Sequence, residues 1–240
     1  MTLKTTLLAA LCLFTICVSI AGASASPLFT GSEKRAALLS PMEDWRSTWQ
    51  LEDYVSLLKG AGYLVDVIFN DDVSIAFLMN QLGNYDLIIL RTDSFAHEGF
   101  SYYCSGEPVT YQARKTYAQE ISDREIEIGA CLGFSSKFIQ HNYPAGTIRN
   151  GMIFVIDGYS VDLSQAFLTA GAAVYVGYYD AYPLGWGRID ALSIKWLSYL
   201  AQGYSVKEAN PLLCNYLYRG HGSTANWPSI FYYGDGSFKI

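Results

Sequence analysis

The chain has 240 residues, and its 16 lysines and arginines against 22 aspartates and glutamates give a formal net charge of −6 at pH 7. An acidic chain without a basic cluster argues against nucleic acid or an anionic membrane as its partner. Roughly 215 residues remain after the N-terminal segment described next, which is enough for one sizeable core and too few for two ordinary domains.

Residues 1–25 have the features of a secretory signal peptide. Lys4 precedes an apolar run over residues 7–20, and the small residues 21–25 offer cleavage after Ala23 or Ala25. An uncleaved anchor is the alternative, but the apolar run is shorter than the roughly 20 residues of a spanning helix. We therefore expect residues 26–240 to form one exported, secreted or extracytoplasmic α/β domain with no membrane span once the signal is removed.

The first half of the domain alternates between strand and helix patterns. Apolar, β-branched runs predict strands at 36–40, 63–69 and 86–90, and helical spacing of apolar residues predicts helices at 50–59 and 73–82. The run at 86–90 is continuously apolar, as in a strand buried on both faces. This alternation predicts a three-layer sandwich, a mostly parallel sheet flanked by helices.

The second half continues the pattern after an irregular middle. A hairpin around 102–108, a polar helix at 110–124 and a short strand at 125–130 are interpreted as an excursion from the main sheet. Beyond it we predict strands at 151–156, 172–177 and 230–233 and helices at 161–169, 188–201 and 206–218.

Two strand ends carry polar residues where ligands bind in open parallel sheets. One is the segment 90–97, with Arg91, Asp93, Ser94 and His97, and the other is 155–158, with Asp157 and Gly158.

Three segments resemble the caspase-like cysteine peptidases, the group that includes gingipains and separase. They are the run 84–91, the strand 152–156 with the helical segment 162–172, and the closing segment 233–237. The resemblance implies the fold. It also implies a histidine just past the third strand and a cysteine just past the fourth, and here Asp93 and Asp157 occupy those positions. We therefore expect a catalytically inactive relative that binds a peptide or protein partner outside the cytoplasm.

Three interpretations of the site remain open. Asp93 and Asp157 can serve as turn or capping residues. They can form an acidic pocket that favours a cation, an amine or a shared proton, which makes a cation-binding extracytoplasmic domain one alternative function. An active, divergent cysteine peptidase is the other, in which His97 is recruited with Cys104 or Cys131.

The candidate binding residues are Arg91, Ser94, Gly158, Tyr178 and Tyr179. The tyrosine-rich segment 178–182 and Trp186 can form an aromatic wall for peptide or sugar, or can pack the core instead.

Cysteine and histidine usage points to no metal site and no cofactor. Cys104, Cys131 and Cys214 remain after the signal, so at most one disulfide can form, and its pairing is open. The three histidines are scattered, without zinc-ligand spacing.

Overall fold

The computed structural model describes residues 33–42, 49–179, 186–221 and 230–240. The predicted signal peptide at 1–25 and part of the tyrosine-rich loop, including Tyr182, lie outside the described residues. Residues 33–240 cluster as one compact unit.

The main sheet has six strands within the described residues. They are β1 (Lys34–Ser40), β2 (Tyr63–Phe69), β3 (Leu87–Arg91), β8 (Met152–Ile156), β9 (Val174–Tyr178) and β10 (Ile230–Gly234), in the spatial order β10-β9-β8-β3-β1-β2. All neighbours run parallel except β10, which is antiparallel to β9. Each of the six predicted strands of this sheet is confirmed to within two residues at either end.

Helices cover both faces of this sheet. They are α1 (Trp49–Gly60), α2 (Ile75–Asn80), α3 (Tyr111–Thr116), α4 (Ala118–Ser122), α5 (Ser136–Asn142), α6 (Ser164–Ala170), α7 (Trp186–Ala201) and α8 (Val206–His221). Alternate residues of each strand point to opposite faces. Leu38 and Phe154 pack in one buried cluster with α1, α7 and α8, whereas Leu39 and Val155 pack in a second with α2, α5 and α6. The predicted three-layer α/β sandwich is therefore confirmed.

The middle of the chain forms a separate four-stranded sheet, which confirms the prediction that this stretch lies outside the main sheet. Its strands are β4 (Ser94–His97), β5 (Phe100–Cys104), β6 (Ile126–Ile128) and β7 (Leu132–Phe134), in the order β4-β5-β7-β6. A disulfide joins Cys104 at the end of β5 to Cys131 just before β7, with their Cα atoms 5.6 Å apart.

Two predictions in this region are wrong. The hairpin turn lies at Glu98–Gly99, before the predicted 102–108, because these two residues adopt the positive φ angles (47° and 81°) that a tight turn requires. The helix predicted at 110–124 is divided at Tyr117, whose φ and ψ of −101° and 27° are not helical. In addition, α5 was not predicted.

Within the described residues, no helix combines the length and apolar character needed to cross a membrane.

Candidate functional site

The carboxyl ends of β3 and β8 form the centre of the candidate site. The two strands are hydrogen-bonded neighbours, and their register pairs Arg91 with Ile156. Asp93 follows the end of β3 by two residues, and Asp157 follows β8 directly. Two distant segments of the sequence therefore meet at one edge of the sheet.

Ser94 bridges the two carboxylates. Its backbone N–H donates to Oδ1 of Asp93 at 2.9 Å, and its hydroxyl donates to Oδ2 of Asp157 at 2.7 Å. Oδ2 of Asp157 also accepts the backbone N–H of Tyr159 at 3.2 Å. The structure thus brings Asp93, Asp157 and Ser94 together, and each carboxylate also fulfils the local turn role that the sequence allowed.

Asp157 is almost completely enclosed, with only 2% of its surface exposed. Burial raises the pKa of Asp157, and the charge of Asp93 raises it further. Hydrogen bonds from Ser94 and from the amides of Tyr159 and Gly158 oppose that rise in pKa because they stabilise the charged form. Asp157 is therefore a buried acid whose charge is held by three donors.

Arg91 does not reach this site. Its side chain is fully buried and forms a bidentate ion pair with Asp190 of α7, with both N–O distances at 2.9 Å. It also donates to Oγ of Ser40 at 3.1 Å and lies over the ring of Tyr54. The prediction that Arg91 contacts a ligand is corrected on this point, because its charge is used inside the fold.

The two consecutive tyrosines at the end of β9, Tyr178 and Tyr179, differ in exposure. Tyr178 is fully buried, and its hydroxyl is hydrogen-bonded to Ser193 at 2.7 Å, so it packs the core and does not line a wall. Tyr179 is 42% exposed, packs on the ring of Phe231 and shares a hydrogen bond with the hydroxyl of Tyr233 at 2.9 Å. The binding assignment of Tyr178 is thereby corrected, whereas Tyr179 is accessible.

Tyr159 lies in the segment that is hydrogen-bonded to the end of β9, although it was not singled out in the sequence. It is 42% exposed. The N–H of Ser160, the next residue, donates to the carbonyl of Tyr178 at 3.1 Å and so joins the two segments. Tyr233 is 39% exposed. We call Tyr159, Tyr179 and Tyr233 the tyrosine surface. A tyrosine directly after the Asp157–Gly158 turn was the signal that pointed to it.

His97 and the cysteines do not form the alternative catalytic pair. Nδ1 of His97 lies 2.7 Å from Oε2 of Glu127, and its side chain is 53% exposed. Cys104 and Cys131 are joined in the disulfide, so neither sulfur is a thiol in this structure. The third cysteine among the described residues, Cys214 of α8, is a free and exposed thiol. Across the residues that the structure describes, no thiol and imidazole are therefore brought together at the site.

Among the residues that the structure describes, no three histidine, cysteine, aspartate or glutamate side chains are grouped so as to hold an ion.

Comparisons with known proteins give only distant likenesses. A scan against protein-family models finds no match, and neither does a search of the curated proteins. Among solved structures, the chain is similar to the Drosophila initiator caspase Dronc, with 12% identity, a TM-score of 0.44, and coverage of 85% of this chain and 81% of Dronc. It is also similar to caspase-1 from Spodoptera frugiperda, with 10% identity, a TM-score of 0.47, and coverage of 85% and 90%. Both TM-scores are below 0.5, and a structural similarity below that value does not by itself establish a shared fold.

Proposed function

We propose that the chain is an exported, caspase-like domain without peptidase activity that binds a peptide or protein partner at the tyrosine surface. The observation that carries the proposal is that Asp157 is buried and hydrogen-bonded. This residue occupies the position that the sequence resemblance gives to the nucleophilic cysteine. It is 2% exposed, and it accepts hydrogen bonds from Ser94 and Tyr159.

A buried carboxylate in this state is a poor nucleophile. Its Oδ2 accepts from two donors, which stabilise the charge and hold the side chain in place. In the cysteine peptidases that the sequence resembles, a histidine assists the attacking thiolate. The titratable neighbours of Asp157 include the carboxylate of Asp93 and the hydroxyls of Tyr103 and Tyr175. The nearest histidine in sequence, His97, is paired with Glu127. These groups favour a rigid strand end over a reaction centre.

The tyrosine surface offers the contact area for a partner. Its three rings are each about two-fifths exposed, and each supplies rigid apolar area with a hydroxyl at the end. Asp93 and the exposed Asp162 add negative charge nearby.

Export is supported by the signal-like residues 1–25 and by the Cys104–Cys131 disulfide, since such bonds persist in oxidising compartments. N-terminal sequencing of the chain recovered outside the cytoplasm tests this part. A first residue of Ser24 or Ser26 is expected, and an intact Met1 contradicts cleavage.

Binding is tested by selecting peptides from a displayed library on the wild-type chain and measuring their affinity by fluorescence anisotropy. Tyr159→Ala and Tyr179→Ala are each expected to weaken binding by about tenfold, the usual effect of removing one aromatic anchor. Tyr111→Ala is the matched control, because Tyr111 on α3 is 82% exposed and lies outside the tyrosine surface. Equal losses in all three variants, or no loss in the first two, contradict the proposed surface.

Catalysis is tested separately by incubating a mixed peptide library with the wild type and with Asp157→Asn. No cleavage is expected from either protein. Cleavage by the wild type that disappears in Asp157→Asn would overturn the inactive assignment and make Asp157 catalytic.

A further inference from the structure

A cleft of about 240 Å³ lies beyond the carboxyl ends of β1 and β2, outside the tyrosine surface. Four segments form its walls: 41–42 after β1, 70–71 after β2, the loop 105–109 after β5, and 130–131 before β7. Cys131 is part of the last wall and is 8% exposed, whereas its disulfide partner Cys104 does not line the cleft and is 4% exposed. A molecule in the cleft therefore meets the disulfide from the Cys131 side.

Two carboxylates give this cleft a negative charge. They belong to Asp71 and Glu107, and none of the described residues that line the cleft is basic. Glu107 is held in place, since its Oε2 accepts the N–H of Ile75 and the hydroxyl of Tyr117, both at 3.0 Å. Within the described part of the chain, neither carboxylate forms an ion pair. Their field is therefore available to a charged molecule that enters.

We propose that Cys131 is a site of thiol–disulfide exchange, and that the cleft selects small thiols carrying a positive charge. A thiolate R–S⁻ attacks Sγ of Cys131 and forms a mixed disulfide there. The Cys131–Cys104 bond breaks, and its electron pair leaves on Sγ of Cys104, which then takes a proton from water. A second thiol releases Cys131 as a thiol and yields R–S–S–R, so the thiol itself is the reductant.

The exchange acts on the segment that carries Asp93. The backbone N–H of Cys104 donates to the carbonyl of Asp93 at 2.8 Å, and the carbonyl of Cys104 accepts the hydroxyl of Thr92 at 2.7 Å. Breaking the disulfide removes the covalent link between the end of β5 and the residue before β7, while the hydrogen bonds between these two strands remain. The inference is independent of peptide binding at the tyrosine surface.

The size of the selectivity follows from Coulomb's law. A unit charge about 7 Å from one carboxylate in water changes a rate about threefold, so two carboxylates together favour a cationic over a neutral thiol by about sevenfold. Both charges are screened by salt, so the selectivity is expected to fall as ionic strength rises.

The experiment compares cysteamine, which is cationic, with neutral 2-mercaptoethanol on the full chain in a Cys214→Ser background. Freed thiols are trapped with iodoacetamide, and the modified cysteine is located by mass spectrometry. Rate constants per thiolate are divided by those on the same chain unfolded in urea, which removes the intrinsic reactivity of each thiol. The expected result is a mixed disulfide on Cys131, alkylated Cys104, and a selectivity for cysteamine of about sevenfold.

Charge variants identify the source of the selectivity. Asp71→Asn and Glu107→Gln are each expected to lower it about threefold, and Asp53→Asn, on α1 and outside this cleft, is expected to leave it unchanged. Attachment of the thiol to Cys104, equal rates for the two thiols, or a rate that does not depend on thiol concentration would each overturn the proposal. The last result would mean that exchange occurs only through unfolding.

Discussion

Replacing Asp190 by alanine is expected to destabilise the fold by about 3–5 kcal/mol, the usual consequence of leaving a buried charge without its partner. Arg91 is fully buried at the end of β3, and both oxygens of Asp190 accept from its guanidinium. The hydroxyl of Tyr54 donates to Oδ1 of the same carboxylate at 3.0 Å. Burial, followed by the charge of Asp190, raises the pKa of Tyr54, so this hydroxyl stays protonated and remains a donor.

The double variant Arg91→Met/Asp190→Leu separates the energetic cost of burying an unpaired charge from the stabilisation that the ion pair itself provides. Replacing both partners with apolar side chains removes the desolvation penalty together with the attraction, and such replacements are often neutral. We expect the double variant to be within about 2 kcal/mol of the wild type, far less than the sum of the two single changes. Most of the cost of the Asp190→Ala change is therefore attributed to the buried guanidinium.

Equilibrium unfolding in urea measures these free energies, with Arg149→Met as the matched control. Arg149 also pairs with an aspartate, Asp86, but the two side chains are 44% and 32% exposed. Its loss is expected to cost no more than about 1 kcal/mol. If Asp190→Ala is no more destabilising than Arg149→Met, or if the two single changes at Arg91 and Asp190 are additive, the reasoning about the buried pair is refuted.

Three further changes test other parts of the fold and the site. Replacing Cys104 and Cys131 with alanine opens a loop with a sequence separation of 27 and so raises the entropy of the unfolded chain. Unfolding in guanidinium is expected to show that the free energy of unfolding falls by about 3.5 kcal/mol. An unchanged unfolding midpoint contradicts this prediction. Gly133→Ala places a Cβ at 2.7 Å from the ring of Phe95 and is expected to lower the free energy of unfolding by about 1–3 kcal/mol, as measured by thermal unfolding. In the control variant Gly60→Ala the added Cβ meets nothing within 4 Å, and this change is expected to be neutral or stabilising. The pKa of Asp157 is raised in the fold, so the wild type loses stability as the pH rises from the pKa of Asp157 in the unfolded chain towards its pKa in the folded chain. Asp157→Asn cannot ionise and is therefore expected to gain stability relative to the wild type over that pH range. A stability difference between the two proteins that does not depend on pH refutes the raised pKa of Asp157.

The main sheet was predictable because its signals are local. Each strand is a run of apolar, β-branched or aromatic residues, and the predicted bounds 63–69 are those observed for β2. Strong helical spacing likewise located α1 and α7. The second sheet was predicted less well, since its strands have only three to five residues and two of them begin at polar or glycine-rich turns.

The pairing of the cysteines lay beyond the sequence. Three cysteines in the mature segment leave the partner of each open. Only the register of β5 and β7, which sets Cys104 opposite Gly133, brings the backbone at Cys104 close to the residue before β7.

The sequence by itself determined the layered α/β architecture and the presence of Asp93 and Asp157 at two strand ends, because apolar periodicity reports burial one element at a time. Which strand-end side chains are accessible was decided by the tertiary structure alone. Arg91, Tyr178 and Tyr179 all lie at strand ends, yet Arg91 pairs with Asp190, 99 residues away in sequence, Tyr178 is buried, and Tyr179 is exposed. The direction of a side chain depends on how side chains alternate between the two faces of its strand, and its partner depends on which helix packs over that face. Neither can be predicted from a local sequence pattern.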